Sequence, residues 1–313
     1  IFNRYRSLQA DLNFNFSTGP VKHNLLVGGE ARESVFKLIA FAGTSSGWDP
    51  FNKTTPVVTV NYAAPVAQTV QTTSNGRVYV LDTAKFLGDR LVLSYGVSRS
   101  RAGANTFNEL TRAYSTPEYN LNKNLKQYGA VFKVLPGLNA FAGYNENFAL
   151  NGTGLINGRT GALPPKEGKQ WETGIKGEFL NRRLQVNVSY FDIKQTNNTV
   201  PSYPLDPLNP NVLVPGVISR GFDGDASWQV NSNFYLMGSF AWYEPKSILG
   251  PAVSGLYVQP YYKRAVTGSI PVGNTAKRTS SLFSLYRFTS GGLKGLEVGL
   301  GYNYLCERAI TDG

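Results

Sequence analysis

From Leu8 to Phe16 the chain alternates, with Leu8, Ala10, Leu12, Phe14 and Phe16 separated by Gln9, Asp11, Asn13 and Asn15. A period of two sends successive side chains to opposite faces of a strand, so this stretch predicts one apolar and one polar face. After Ser17-Thr18-Gly19-Pro20 a second strand is expected from about His23 to Phe36, paired with the first, with Leu25, Val27, Gly29 and Ala31 opposing Leu26, Gly28, Glu30 and Arg32. The same alternation runs through Trp171 to Phe179, Leu184 to Tyr190, Phe222 to Trp228 and Leu296 to Tyr304. Val78 to Phe86 carries apolar residues on both faces, and the pattern assigns it no orientation.

About twelve strands follow, near 5–17, 23–36, 77–86, 90–101, 124–134, 138–148, 169–180, 184–195, 218–229, 234–243, 279–288 and 296–305. Most have about ten residues, the length a tilted strand needs to cross a bilayer and more than the usual five or six of soluble sheets. Short turns at Thr18 to Lys22, Leu87 to Asp89, Pro136-Gly137, Asn181 to Arg183, Val230 to Asn233 and Thr289 to Gly295 alternate with Gly/Pro/Asn-rich segments at 37–76, 102–123, 149–168, 196–217 and 244–278. Within the first long segment the uncharged run Thr54 to Gly76, broken by Pro56 and Pro65, reads as loop. A soluble sandwich has no reason to gather every long loop at one end, and no fixed-length repeat supports a solenoid or propeller. The expected class is therefore all-β, a transmembrane antiparallel up-and-down β-barrel with its apolar face to lipid and its polar face to the lumen.

Composition agrees, since 33 Gly, 18 Tyr and 18 Phe stand beside a single Met and a single Cys among 313 residues, a balance that favours strands over helices. Cys306 cannot close an internal disulfide, and with His23 as the one histidine the chain lacks the donors for a His/Cys metal cage or a well-supplied catalytic triad, so neither an enzyme nor a metal or other cofactor is expected. The formal charge of +11 is scattered, its longest clusters being pairs such as Arg182-Arg183 and Lys263-Arg264, which gives no nucleic-acid surface. His23, beside a short turn, is expected to be solvated. Gly152-Thr153-Gly154 with Gly158 misses the dinucleotide-binding spacing by one residue and reads as loop.

Several stretches, in order, resemble one family. Leu163-Pro164-Pro165-Lys166-Glu167-Gly168-Lys169-Gln170-Trp171-Glu172-Thr173-Gly174-Ile175-Lys176 looks like the Pro-rich loop and following strand of TonB-dependent siderophore receptors. Tyr190-Phe191-Asp192-Ile193-Lys194-Gln195-Thr196-Asn197 and Ser219-Arg220-Gly221-Phe222-Asp223 resemble the next two strands. Ala276-Lys277-Arg278, Tyr286-Arg287-Phe288, Gly295 to Gly301 and Glu307-Arg308 are similar to later ones, and Val78-Tyr79, Asp82-Thr83, Phe86 and Asp89-Arg90-Leu91 to a mid-barrel hairpin. Two positions depart from the family: Cys306 stands where Gly is usual, and Gly224 interrupts the acidic strand after Arg220.

The resemblance implies an outer-membrane receptor of a bacterial cell that binds ferric siderophore as its transported ligand and is driven by TonB through an N-terminal plug. Such barrels have about 22 strands, so residues 1–313 are expected to be a partial barrel domain, with the plug and the final strands missing. The alternative is a self-contained barrel of about twelve strands acting as a passive porin or an adhesin, in which the first strand would pair with the last. Ligand-binding candidates follow from long loops and adjoining strand ends: Tyr144, Trp242, and the dense run Tyr257, Tyr261, Tyr262 and Arg264, which suit an anionic chelate with planar groups. The same aromatics also suit the interfacial girdle of any outer-membrane barrel, and the basic residues suit lipopolysaccharide phosphates.

Overall fold

The computed structural model describes residues 2–45, 58–156, 159–201, 207, 211–214, 216–248, 269–272 and 275–308. Strands dominate them: β1 (Phe2–Thr18), β2 (Val21–Ser45), β3 (Val58–Phe86), β4 (Leu91–Asn108), β5 (Ala113–Leu135), β6 (Leu138–Ala149), β7 (Thr153–Ile156), β8 (Arg159–Ala162), β9 (Lys166–Phe179), β10 (Leu184–Thr196), β11 (Asn198–Pro201), β12 (Asn211–Val214), β13 (Gly216–Gln229), β14 (Phe234–Ile248), β15 (Ser269–Pro271), β16 (Arg278–Arg287) and β17 (Glu297–Leu305). One sheet runs in the order β1-β2-β3-β4-β5-β6-β9-β10-β13-β14-β16-β17, antiparallel throughout, with β15 added to β14. The twelve strands of this path are those the alternation predicts. No described helix is long and apolar enough to cross a membrane, a criterion that does not bear on strands.

Two expected loops are strand instead. β2 has 25 residues and β3 has 29, so most of 37–76 is a ladder, and β4 and β5 consume most of 102–123. At about 3.3 Å per residue β2 is roughly 80 Å long, far beyond a bilayer. Its outer half and that of β3 therefore stand in water, where neither face need be apolar and the alternation signal vanishes. Pro65 enters without a ladder donor because it sits at an irregularity, the register shifting on both sides of the Phe41 and Pro65 pair. The segment at Gly152 to Ala162, also read as loop, carries the small hairpin β7-β8.

Directly paired residues of an antiparallel ladder project to the same side, so the register carries a face from strand to strand. Leu12 pairs with Val27, Val27 with Val80 and Val80 with Val97. Further on, Phe132 pairs with Ala140, Ala140 with Ile175, Ile175 with Val188, Val188 with Gly224 and Gly224 with Phe240. Tracing every pair puts Leu8, Leu12, Phe14, Val186, Val188, Val298 and Leu300 on one face and Gln9, Asn13, Gln185, Asn187, Glu297 and Asn303 on the other, as expected. It also orients Val78 to Phe86: Val78, Val80 and Ala84 join the apolar face, with Tyr79, Leu81 and Thr83 opposite.

The apolar face has a constant height. On β9 it runs from Trp171 to Phe179, about 27 Å along the strand and roughly 20 Å tall at a typical tilt of about 40°. Charges begin immediately beyond it, at Lys169 on β9, Arg220 on β13 and Arg278 on β16. No described residue packs over this face: Leu8 is 74% and Leu300 75% exposed, and the only buried hydrophobics among the described residues are Ala102, Leu163 and Ala276. A sheet with ladder-satisfied backbone, a bare apolar band and no packed core is one whose missing layer is lipid.

Tight turns close one end of the sheet. In Pro136-Gly137, Gly137 takes a φ of +81°, and a Cβ there would lie 2.3 Å from the Glu178 carbonyl oxygen, so conformation and contact both require glycine. At the sheet margins β1 and β17 each have a single partner and do not pair with each other.

Candidate functional site: the polar wall and the aromatic fringe

The polar face carries ordered hydrogen bonds. Near β1 to β3, Tyr79 OH donates to Asp11 Oδ1, Gln9 Nε2 donates to Asp11 Oδ2 at 2.8 Å, and Arg77 lies 5.2 Å over the Tyr79 ring. Arg32 and Glu30 on the same face form an ion pair of 2.7 Å. Across β9, β10 and β13 the wall turns acidic: Asn187 Nδ2 donates to Asp225 Oδ1 at 3.2 Å, and the Ser189 hydroxyl donates to Asp223. Lys176 counters them from over the Phe141 ring at 4.9 Å, and a cavity of about 960 Å³ opens among Arg90, Lys133, Lys176, Glu178, Asn187 and Asp225, toward the short-turn end. Such a surface suits water and polar solutes. Among the described residues no group of three His, Cys, Asp or Glu side chains could hold a metal ion.

The aromatics cluster on the other face. Tyr95, Tyr128, Tyr144 and Trp171 form a row across four neighbouring strands, with centroid separations of 5.4, 5.7 and 4.6 Å. Tyr190, Phe222 and Trp242 continue it, Phe222 and Trp242 stacking at 6.0 Å. The register thus sets Tyr144 and Trp242 among the apolar residues at the upper margin of the band rather than on the polar wall. Tyr257, Tyr261, Tyr262 and Arg264 lie outside the described residues.

His23 departs from expectation. It is not solvated but packed on the apolar face, stacked on Phe16 at 4.9 Å, with Nδ1 2.8 Å from Asp82 Oδ2 and Nε2 2.8 Å from Thr18 Oγ1. Local patterning carries no sign of this contact, because the partner lies 59 residues away and is brought alongside only by the β2-β3 register.

The model for "TonB dependent receptor-like, beta-barrel" matches residues 2–312. The chain belongs to this family. A TonB-dependent receptor barrel explains the two faces at once, lipid outside and lumen inside, with strands crossing the outer membrane. Similar proteins include the metal-pseudopaline receptor CntO of Pseudomonas aeruginosa, 28% identical over 183 residues, which is 58% of this chain and 23% of that receptor. The ferrichrome outer membrane transporter/phage receptor of Escherichia coli is 24% identical over 308 residues, 95% of this chain and 38% of its own length. Among solved structures, the ferripyoverdine receptor of Pseudomonas aeruginosa bound to ferripyoverdine superposes with a TM-score of 0.74 at 19% identity, covering 96% of this chain and 38% of that one, a likeness of fold. The chain thus spans less than two fifths of these receptors.

Proposed function

We propose that the protein acts as an outer-membrane receptor that captures a ferric siderophore at its long-loop end and imports it with energy delivered by TonB. The observation that carries this reading is the twelve-strand sheet itself, with a lipid face of constant height, a hydrogen-bonding lumen wall, and tight turns confined to one end. Membership in the receptor family and the kinds of ligand named for its relatives support the same choice. In this reading residues 1–313 supply part of the barrel, and plug and further strands belong to the same receptor. The passive twelve-strand alternative is disfavoured because β1 and β17 remain unpaired, whereas a barrel of that size would join them. The barrel does no covalent chemistry; it binds, admits and releases.

Within this reading the capture role falls to Tyr257, Tyr261, Tyr262 and Arg264, while Tyr144 and Trp242, on the lipid side, serve as girdle. Each aromatic or cation-π contact contributes about 0.5–2 kcal/mol, so changing the four loop residues to Ala should weaken chelate affinity at least about tenfold. The test is equilibrium binding and energised uptake of radiolabelled ferric chelates by cells expressing the receptor, with surface display measured in parallel. Uptake that persists without TonB would overturn the active-transport reading. Unchanged affinity in the four-residue variant would remove this loop from the binding surface.

A further inference from the structure

Just above the apolar band, on the lipid side, the sheet is fringed with cations. Arg6, Arg99, Arg101, Lys126, Lys169 and Arg278 all project to that side by register. Some basic residues of this fringe are neutralised locally: Arg4 pairs with Glu33 at 3.6 Å and Arg220 with Asp192 at 2.9 Å. Arg99 and Arg101 are exposed and make no ion pair among the described residues; Arg101 Nε donates only to the Asn120 side-chain oxygen, at 3.3 Å.

Beside these two guanidinium groups, where Gly76 pairs with Arg101 and Val78 with Arg99, the lipid face is indented. A trough of about 440 Å³ lies between Leu8, Gly29, Gly76 and Val78, with Arg99 and Arg101 at its margin; its lining also includes Glu30 and Arg77, whose side chains belong to the polar wall. The missing side chain at Gly76 is not demanded by packing. A Cβ there would meet only the Glu30 carbonyl oxygen, at an ordinary 3.8 Å, and the backbone is not in the left-handed region. The depression is therefore available to a guest, and its surroundings specify one with an apolar tail and an anionic head at the level of the guanidinium groups.

We propose that Arg99 and Arg101, with the trough beside them, form a binding site for a phosphate-bearing lipid, one acyl chain lying in the trough and the phosphate on the two arginines. Guanidinium groups match phosphate through paired, charge-assisted hydrogen bonds, and a chain in the trough meets Leu8 and Val78 instead of a gap. The site rests on the lipid-facing reading of this surface, but not on what the receptor transports.

The test uses the full-length receptor in an uncharged detergent, with dioleoylphosphatidic acid as probe and dioleoylglycerol and inorganic phosphate as comparisons, bound lipid being counted by native mass spectrometry. The phosphatidic acid should bind, and bind more tightly than either comparison. Arg99→Gln with Arg101→Gln should weaken it about tenfold or more, and Arg99→Lys with Arg101→Lys, which keeps the charge but loses the paired geometry, should fall between that variant and the unaltered receptor. Gly76→Leu, which fills the trough, should also weaken the lipid several-fold while leaving the arginines in place. Equal binding of dioleoylglycerol would overturn the role of the arginines, and equal binding of inorganic phosphate the role of the trough. Unchanged affinity in correctly folded variants, judged by heat-modifiable mobility on gels, would overturn the site. Chelate uptake does not enter the readout, so a failure here is distinct from a failure of the transport proposal.

Discussion

The carboxylate of Asp82 and the imidazole of His23 meet at 2.8 Å on the lipid-facing side of the sheet, inside a band otherwise made of apolar, aromatic and small uncharged residues. One ring nitrogen faces the Asp82 carboxylate and the other the Thr18 hydroxyl, so a single histidine joins the first turn to β3. Asp82 Oδ1 is buried without a partner, which makes the acid dependent on its one contact. His23→Ala should therefore destabilise the protein by about 1–3 kcal/mol, whereas the double change His23→Leu with Asp82→Leu should cost less than either single change. Urea unfolding from lipid vesicles measures this, and additive costs would show that the pair is not coupled.

The two faces should respond oppositely to charge. Ile175 sits mid-band on the apolar face and is 46% exposed, so Ile175→Arg is expected to destabilise by about 2–4 kcal/mol. Gln127, exposed on the lumen wall, should accept Lys within about 0.5 kcal/mol. The same unfolding measurement decides it, and equal costs at the two positions would contradict the assignment of faces.

What could be read from the chain follows the lipid boundary. Leu8 to Phe16 and Leu296 to Tyr304 were legible because only residues within the band need an apolar side, and there alternation is imposed on every strand. Above the band that constraint lapses: Val58 to Gly76 is a strand whose polar residues and Pro65 imitate a loop, and its ladder with β2 is a long-range fact no local pattern carries. Val78 to Phe86 defied orientation for a related reason. Tyr79, apolar in outline, belongs to the lumen through its bond to Asp11, while the charged Asp82 stands outside because His23 meets it there. Of the six candidate ligand contacts, Tyr144 and Trp242 stand on the apolar face; residue type and loop proximity suggest a vestibule, and only parity along the strand shows which face they take.

Beyond the membrane, Glu109 fastens the long hairpins to one another. It follows β4 and accepts from Lys37 Nζ, 2.7 Å from its Oε2, and from the Gln68 amide of β3. The Lys37 hydrogen bond first, then that from Gln68, hold its carboxyl below the usual carboxylate value of 4.5. A group with a depressed folded-state pKa contributes stability that is present above the unfolded value and is lost as pH falls through the folded one. The tie should thus be intact at neutral pH and loosen only at pH below 4.5. Hydrogen exchange around Leu110 to Arg112, corrected for intrinsic rates, should accelerate over that acid range in the native protein and show no such step in Glu109→Gln.

The margins of the sheet give the last expectation. β1 presents 17 exposed residues with one edge unpaired, and β17 presents nine, so two rows of backbone donors and acceptors await partners. In lipid each unsatisfied group costs several kcal/mol, and in water such edges recruit other chains. Residues 1–313 produced alone and refolded into detergent micelles should therefore yield associated species without heat-modifiable mobility. If, as proposed, the 313 residues are part of a larger barrel, a polypeptide carrying further barrel strands should form a compact monomer, because the added strands take up both edges. Size-exclusion chromatography with gel mobility separates these outcomes. A monomeric, heat-modifiable product from the 313 residues alone would mean that β1 and β17 can join, and would return the small passive barrel to consideration.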